Sequence, residues 1–161
     1  MLVDAAWRTA LRLAFPLRRR YLRCTRRGRG GAVLALRTAT ELLVVRHSYR
    51  PRLGFPGGGI AAGETPEACA RREAWEELGL AVPPEVLRPL GAVRTGFGGP
   101  DCVNHVFEWR LERLPTVTVD NRELIWAGPV RPHAVPRADQ DLTLRWYLRR
   151  HAPDLRGSRH Q

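Results

Sequence analysis

The chain has 161 residues, of which 27 are arginine and 16 acidic, with no lysine and a formal charge of +11. That length suits one domain with a sizeable core, and no apolar run approaches the ~18 residues of a membrane-spanning helix. The three cysteines, Cys24, Cys69 and Cys102, show no C-x-x-C spacing, which argues against a zinc site or a disulfide framework. With no recognisable signal peptide, a reducing cytoplasm is the expected setting.

The charge is concentrated at the start of the chain. Residues 1 to 31 contain nine arginines and one acid, Asp4, giving +8, whereas the remaining 18 arginines and 15 acids give +3. Within this arm Val3, Ala6, Trp7, Ala10, Leu11 and Ala14 recur at helical spacing, followed by Phe15-Pro16 and the run Arg18-Arg19-Arg20. An amphipathic helix is expected. Its apolar side has three candidate partners: the protein's own domain or a second subunit of a homodimer, an anionic membrane surface, or RNA. Trp7 and Tyr21 are few for a base-stacking platform.

Ala32 to Leu36 and Leu42 to Val45 then flank the turn Thr38-Ala39-Thr40-Glu41, which predicts a hairpin. Arg46, His47, Tyr49, Arg50 and Arg52 follow as a cluster suited to phosphates or a base, or simply to solvation. The next stretch, Gly54-Phe55-Pro56-Gly57-Gly58-Gly59, is too glycine-rich for an ordinary strand and lets backbone come close to another group. No Gly-Lys-Ser/Thr follows, so it is not a Walker loop.

Thr65 is placed to cap a helix opened by Pro66 and Glu67 and stopped by Gly79. At roughly 100° per residue, Glu73, Glu76 and Glu77 fall within about 100° of one another, beside an apolar stripe of Ala70, Ala74 and Leu78. Like charges at this spacing destabilise a bare helix, and a divalent cation is one way to offset them. Arg72 stands beside the acids, where it can pair with Glu64 and tie the glycine loop to the helix. Further strands are expected at Leu90 to Thr95, Val103 to Leu111 and Leu124 to Val130, with a loop at Gly96 to Pro100 and a closing helix over Asp139 to Arg150. The domain is expected at residues 31–150, between the basic arm of residues 1–30 and a basic tail of residues 151–161. His105 and Trp126 are candidates for either packing or the cleft, and His133, beside Pro132, is expected in a loop.

Gly58, Glu64, Arg72, Glu73, Glu76, Glu77 and Gly79, with Ala74 and Leu80 at the apolar positions, follow the spacing G-x5-E-x7-R-E-U-x-E-E-x-G-U. This segment resembles a complete Nudix box. The resemblance implies an α/β/α sandwich with a mixed, partly barrelled sheet, and Mg²⁺-dependent hydrolysis, with Mn²⁺ as a possible substitute, of a nucleoside diphosphate linked to another group. It implies as metal ligands the backbone carbonyl near Gly58 and the side chains of Glu73, Glu76 and Glu77, and gives structural roles to Glu64, Arg72 and Gly79. Glu76 or Glu73 is a candidate base. Glu123 resembles a downstream acid that serves as base or extra ligand in some members. Arg46, Arg50, Arg52 and Phe97 are the candidate contacts for a nucleotide-type substrate. The alternative is an idle Nudix fold that senses a nucleotide, or that binds RNA or a membrane through the arm.

Overall fold

The computed structural model describes residues 2–25, 30–95, 102–119 and 122–152, and within the first helix the side chains of residues 3–14. Its helices are α1 (Leu2–Thr25), α2 (Pro66–Leu78) and α3 (Leu142–Arg150). Its strands are β1 (Gly31–Arg37), β2 (Leu42–His47), β3 (Leu53–Gly54), β4 (Gly57–Gly59), β5 (Arg88–Arg94), β6 (Val103–Arg110) and β7 (Leu124–Val130).

The alternation of apolar residues along β1 and β2 builds two cores on opposite faces of one mixed sheet. Val33, Ala35, Leu42 and Val44 meet Leu144, Tyr147 and Leu148 of α3. Ala32, Leu34, Leu36, Leu43 and Val45 meet Cys69, Ala70, Ala74 and Leu78 of α2. Both faces are covered, which gives the α/β/α sandwich and explains why β1 is buried along its whole length.

A splay in the sheet makes room for the site. β1 and β2 pair only beside their turn, at Leu36↔Leu43 and Arg37↔Leu42. Beyond that they part: Gly31–Val33 of β1 pairs with Gly57–Gly59 of β4, and Val45 and Arg46 of β2 pair with Gly54 and Leu53 of β3. The glycine run therefore does form strand, contrary to its composition, because it is short and is held from both sides of the gap. Outside the gap, β6 runs parallel to β1 over seven positions, β7 runs antiparallel to β2, and β5 completes the order β3-β2-β1-β6-β5. Three contacts pin the inserted turn: Phe55 packs edge-on against Tyr147 at 5.2 Å, Leu34 donates to Pro56 O at 3.0 Å, and Asp141 donates its N–H to Leu53 O at 2.9 Å.

The closing helix is shorter than its periodicity suggests. Arg137–Asp139 forms a separate 3₁₀ turn, and α3 starts at Leu142 because the Asp141 carboxylate caps it, accepting from Leu144 N at 2.7 Å. At the other end of the chain, α1 runs through Pro16 to Thr25, further than the apolar repeat of residues 3–14. Among the described residues no helix is long and apolar enough to cross a membrane.

Candidate active site

α2 is fixed by local chemistry before any site is considered. The Thr65 hydroxyl accepts from Ala68 N at 3.1 Å, Pro66 fills the first turn, and Gly79 adopts φ 69°, a left-handed conformation that glycine takes without strain. Its small apolar residues are buried on the sheet, which brings the helix close and sets its rotation.

That rotation separates the three acids. Glu73 and Glu77, at i and i+4, turn inward with side chains 15% and 6% exposed, while Glu76 is 54% exposed at the rim. Gly58 of β4 lies directly beneath Glu73, so closely that a Cβ there would collide with the carboxylate. This close approach is what the glycine provides. Glu77 accepts from Gly57 N at 2.8 Å and meets His47 Nε2 at 3.2 Å. Its negative charge is thus stabilised by the backbone of the inserted turn and by the last residue of β2.

Arg72 offsets the remaining repulsion. It holds Glu64 in a two-point contact, Nε to Oε1 at 2.8 Å and Nη2 to Oε2 at 3.1 Å, and also donates to Glu73 at 2.7 Å, Glu76 at 3.1 Å and Gly59 O at 3.2 Å. The Arg72 guanidinium, with the Ala61 N–H, brings the Glu64 carboxyl down to about 2. Burial instead pushes the Glu73 carboxyl up, against the pull of Arg72. Cys69, beneath this cluster, stays a thiol, raised to about 11 mainly by burial.

Glu123 enters from the start of β7. Its backbone carbonyl accepts from Ser48 N at 2.8 Å, and its carboxylate accepts from Tyr49 Oη at 2.6 Å. Burial and the Glu123 charge hold the Tyr49 phenol far above its ordinary range, so it remains a donor. One oxygen each from Glu77 and Glu123 and one ring nitrogen of His47 lie within 4.8 Å of one another. Burial, aided by Arg50, lowers His47 to about 4, so its imidazole is neutral, the form that ligates metals.

The other expected contacts disperse. Arg46 is exposed on β2 opposite Trp126, which is 41% exposed. The Arg50 guanidinium lies 5.5 Å from the Tyr49 ring centroid, and Arg52 donates to Ala138 O at 3.1 Å, tied to the turn before α3. His105 is half-buried in β6, His133 is exposed in a 3₁₀ turn, and Phe97 lies outside the described residues.

Two residues of the cluster expected to meet phosphates, a base or solvent have different partners in the fold: His47 meets Glu77, and Tyr49 holds Glu123. A signal for His47 exists, since it continues the Leu43, Val45 alternation that faces α2.

The sequence model of the NUDIX domain matches residues 26–150. The chain belongs to the Nudix family. It is 36% identical over 101 residues to the ADP-sugar pyrophosphatase of Mus musculus, a match covering 60% of this chain and 40% of the mouse protein, so the chain spans well under half of that relative. Among solved structures it resembles a MutT NUDIX hydrolase from Burkholderia pseudomallei, with a TM-score of 0.65 and 22% identity over 76% of this chain and 97% of the other. A MutT protein from Methanosarcina mazei gives 0.60 and 18% over 79% and 94%. At these identities the structural likeness establishes the fold. The donors of this Nudix domain fit a divalent cation: Glu77 and Glu123 offer carboxylate oxygens and His47 a neutral imidazole nitrogen, all within 4.8 Å of one another.

Proposed function

We propose that the protein hydrolyses a phosphoanhydride bond in a nucleoside diphosphate linked to another group, with Mg²⁺ or Mn²⁺ as cofactor and water as the attacking group. In this reading residues 31–150 are the catalytic unit, working in the cytoplasm, and residues 1–30 and 151–161 are appendages. The observation that carries it is the pair of inward acids, Glu73 and Glu77, set against the glycine strand, with Glu77 within 4.8 Å of Glu123 and His47.

Glu73, Glu77 and the Gly58 carbonyl would hold the cation, with Glu76 completing the set from the rim. A bound cation neutralises phosphate charge and makes a coordinated water more acidic. Glu123 receives the proton of the attacking water, held in place by the Tyr49 hydroxyl, and Glu73 or Glu76 is the alternative base. Arg46, on β2, and Arg50, just after it, would contact the phosphates, and Arg52 and Phe97 are the proposed contacts for the rest of the substrate. The ADP-sugar pyrophosphatase activity of the mouse relative makes a nucleoside diphosphate sugar the first substrate to try.

No protein nucleophile is needed. Reaction in oxygen-18 water will place one label on a single phosphate product, and in a single turnover no oxygen will come from the enzyme. A screen of nucleoside diphosphate derivatives and triphosphates, with Mg²⁺, Mn²⁺ or EDTA, tests the whole reading. Cation-dependent release of phosphomonoesters is expected, and trapping of a covalent phosphoryl- or nucleotidyl-enzyme would overturn the mechanism.

A further inference from the structure

The first helix presents the wrong face to its own protein. At about 100° per residue, Val3, Ala6, Trp7, Ala10, Leu13 and Ala14 lie within an arc of about 120°, while Asp4, Arg8 and Arg12 form a ridge across from it. An amphipathic helix of a globular domain ordinarily buries the apolar arc. Here the polar ridge meets the domain: Arg12 Nε donates to Ser48 O at 2.9 Å, and Arg122 Nε approaches Asp4 Oδ1 at 3.4 Å. The apolar arc faces water, with Val3 62%, Trp7 52% and Leu13 67% exposed and the three alanines exposed between them, while Leu11, expected in the apolar repeat, lies beside the ridge and is half-buried.

We infer that α1 is an interfacial membrane helix that docks the enzyme on an anionic bilayer through Val3, Trp7 and Leu13. A stripe of this composition gains free energy from any apolar cover, at about 25 cal/mol for each Å² removed from water. Charge selects the cover. Residues 1 to 31 carry +8, and the sequence continues past the apolar arc with arginines at 18, 19, 20, 23, 26, 27 and 29. A second copy of the helix would bring another +8 against the first. Anionic headgroups instead attract each nearby arginine by about 1 kcal/mol, while the arc sinks to the acyl boundary and Trp7 sits at the depth its ring favours. The helix is not apolar enough to cross, so it lies in the plane of the surface, with a length of about 36 Å for 24 residues at 1.5 Å each. Its polar ridge then keeps the catalytic domain on the water side, with the Ser48 edge of the active site beside the helix.

The test is flotation of the full-length protein with vesicles of phosphatidylcholine alone and of phosphatidylcholine mixed with phosphatidylglycerol. The wild type is expected to partition at least about tenfold more strongly to the anionic vesicles, and high salt should weaken that binding. Trp7→Asp/Leu13→Asp should lose at least about tenfold of the binding, with thermal unfolding and hydrolysis of a water-soluble substrate unchanged; Trp7→Leu should retain most of it. The inference is overturned if the wild type shows no preference for anionic vesicles, or if the double Asp variant floats as the wild type does. It is equally overturned if the protein ignores both vesicles but sediments as a dimer that the Asp variant dissociates, or binds single-stranded RNA that the variant binds just as well. None of the binding readouts depends on the chemistry of the active site.

Discussion

α1 and α2 are both helices with one charged side and one apolar side, and both turn the charged side toward the protein's own backbone. In α2 this works because the apolar residues are small and still reach the sheet: Cys69, Ala70, Ala74 and Leu78 are buried while Glu73 and Glu77 lean over the glycine strand. In α1 the two sides are opposed, so placing Asp4 and Arg12 on the domain sends Val3, Trp7 and Leu13 outward. Amphipathic spacing thus defines two faces of a helix without saying which one meets the fold. In α2 the acids have their partners within the domain, whereas the apolar face of α1 is left for something outside it.

The most damaging way to break the α2 side is to remove charge from its inner acids. Glu77→Gln is expected to keep the fold, because the side-chain carbonyl can still accept from Gly57 N, yet to lower turnover by at least about 10²-fold. Steady-state kinetics with a thermal melt on the same sample checks it. Gly58→Ala should follow at about tenfold or more, because the new methyl must push the Glu73 carboxylate off the glycine strand. Arg72→Met should cost about 2 kcal/mol of stability, measured by urea unfolding, since it leaves Glu64 and the partly buried Glu73 without their shared cation.

Acid titration sharpens the same contrast. The Glu64 carboxyl has an ordinary value of 4.5 and lies at about 2 in the fold, so its contribution is fully present above about pH 4.5 and is lost as pH falls toward 2. Glu64→Gln should therefore flatten the fall in melting temperature across that window, with Arg72 and the Ala61 N–H as the groups responsible. The smallest effect is expected on the other helix. Deleting residues 1–20 should change kcat on a small substrate by no more than about twofold, since α1 touches the domain through its polar ridge and supplies none of the acids.

Where the determinants are local, the sequence was sufficient. The limits of α2 coincide with Thr65 and Gly79 because a capping hydroxyl and a left-handed glycine act within a few residues. β7 was read to its ends, and β1, β2, β5 and β6 to within one to two residues. What escaped depends on tertiary geometry. The helical wheel puts Glu76 on the same side as Glu73 and Glu77, but a sheet packed against Ala70 and Ala74 decides that Glu76 stays at the rim. The glycine run became strand only because β1 and β2 part to receive it. His47 and Tyr49 became part of the site through Glu77 and Glu123, which are 30 and 74 residues away in the chain.

If the inner acids of α2 hold a cation on which hydrolysis depends, removing either the charge or the cation should stop turnover. Phosphomonoester release from a nucleoside diphosphate sugar by wild type and Glu77→Gln, side by side, with Mg²⁺ and with EDTA, will show whether it does. Full turnover is expected only for wild type with Mg²⁺, with a loss of at least about 10²-fold in the variant. Equal turnover in EDTA, or a folded Glu77→Gln variant as fast as wild type, would contradict this.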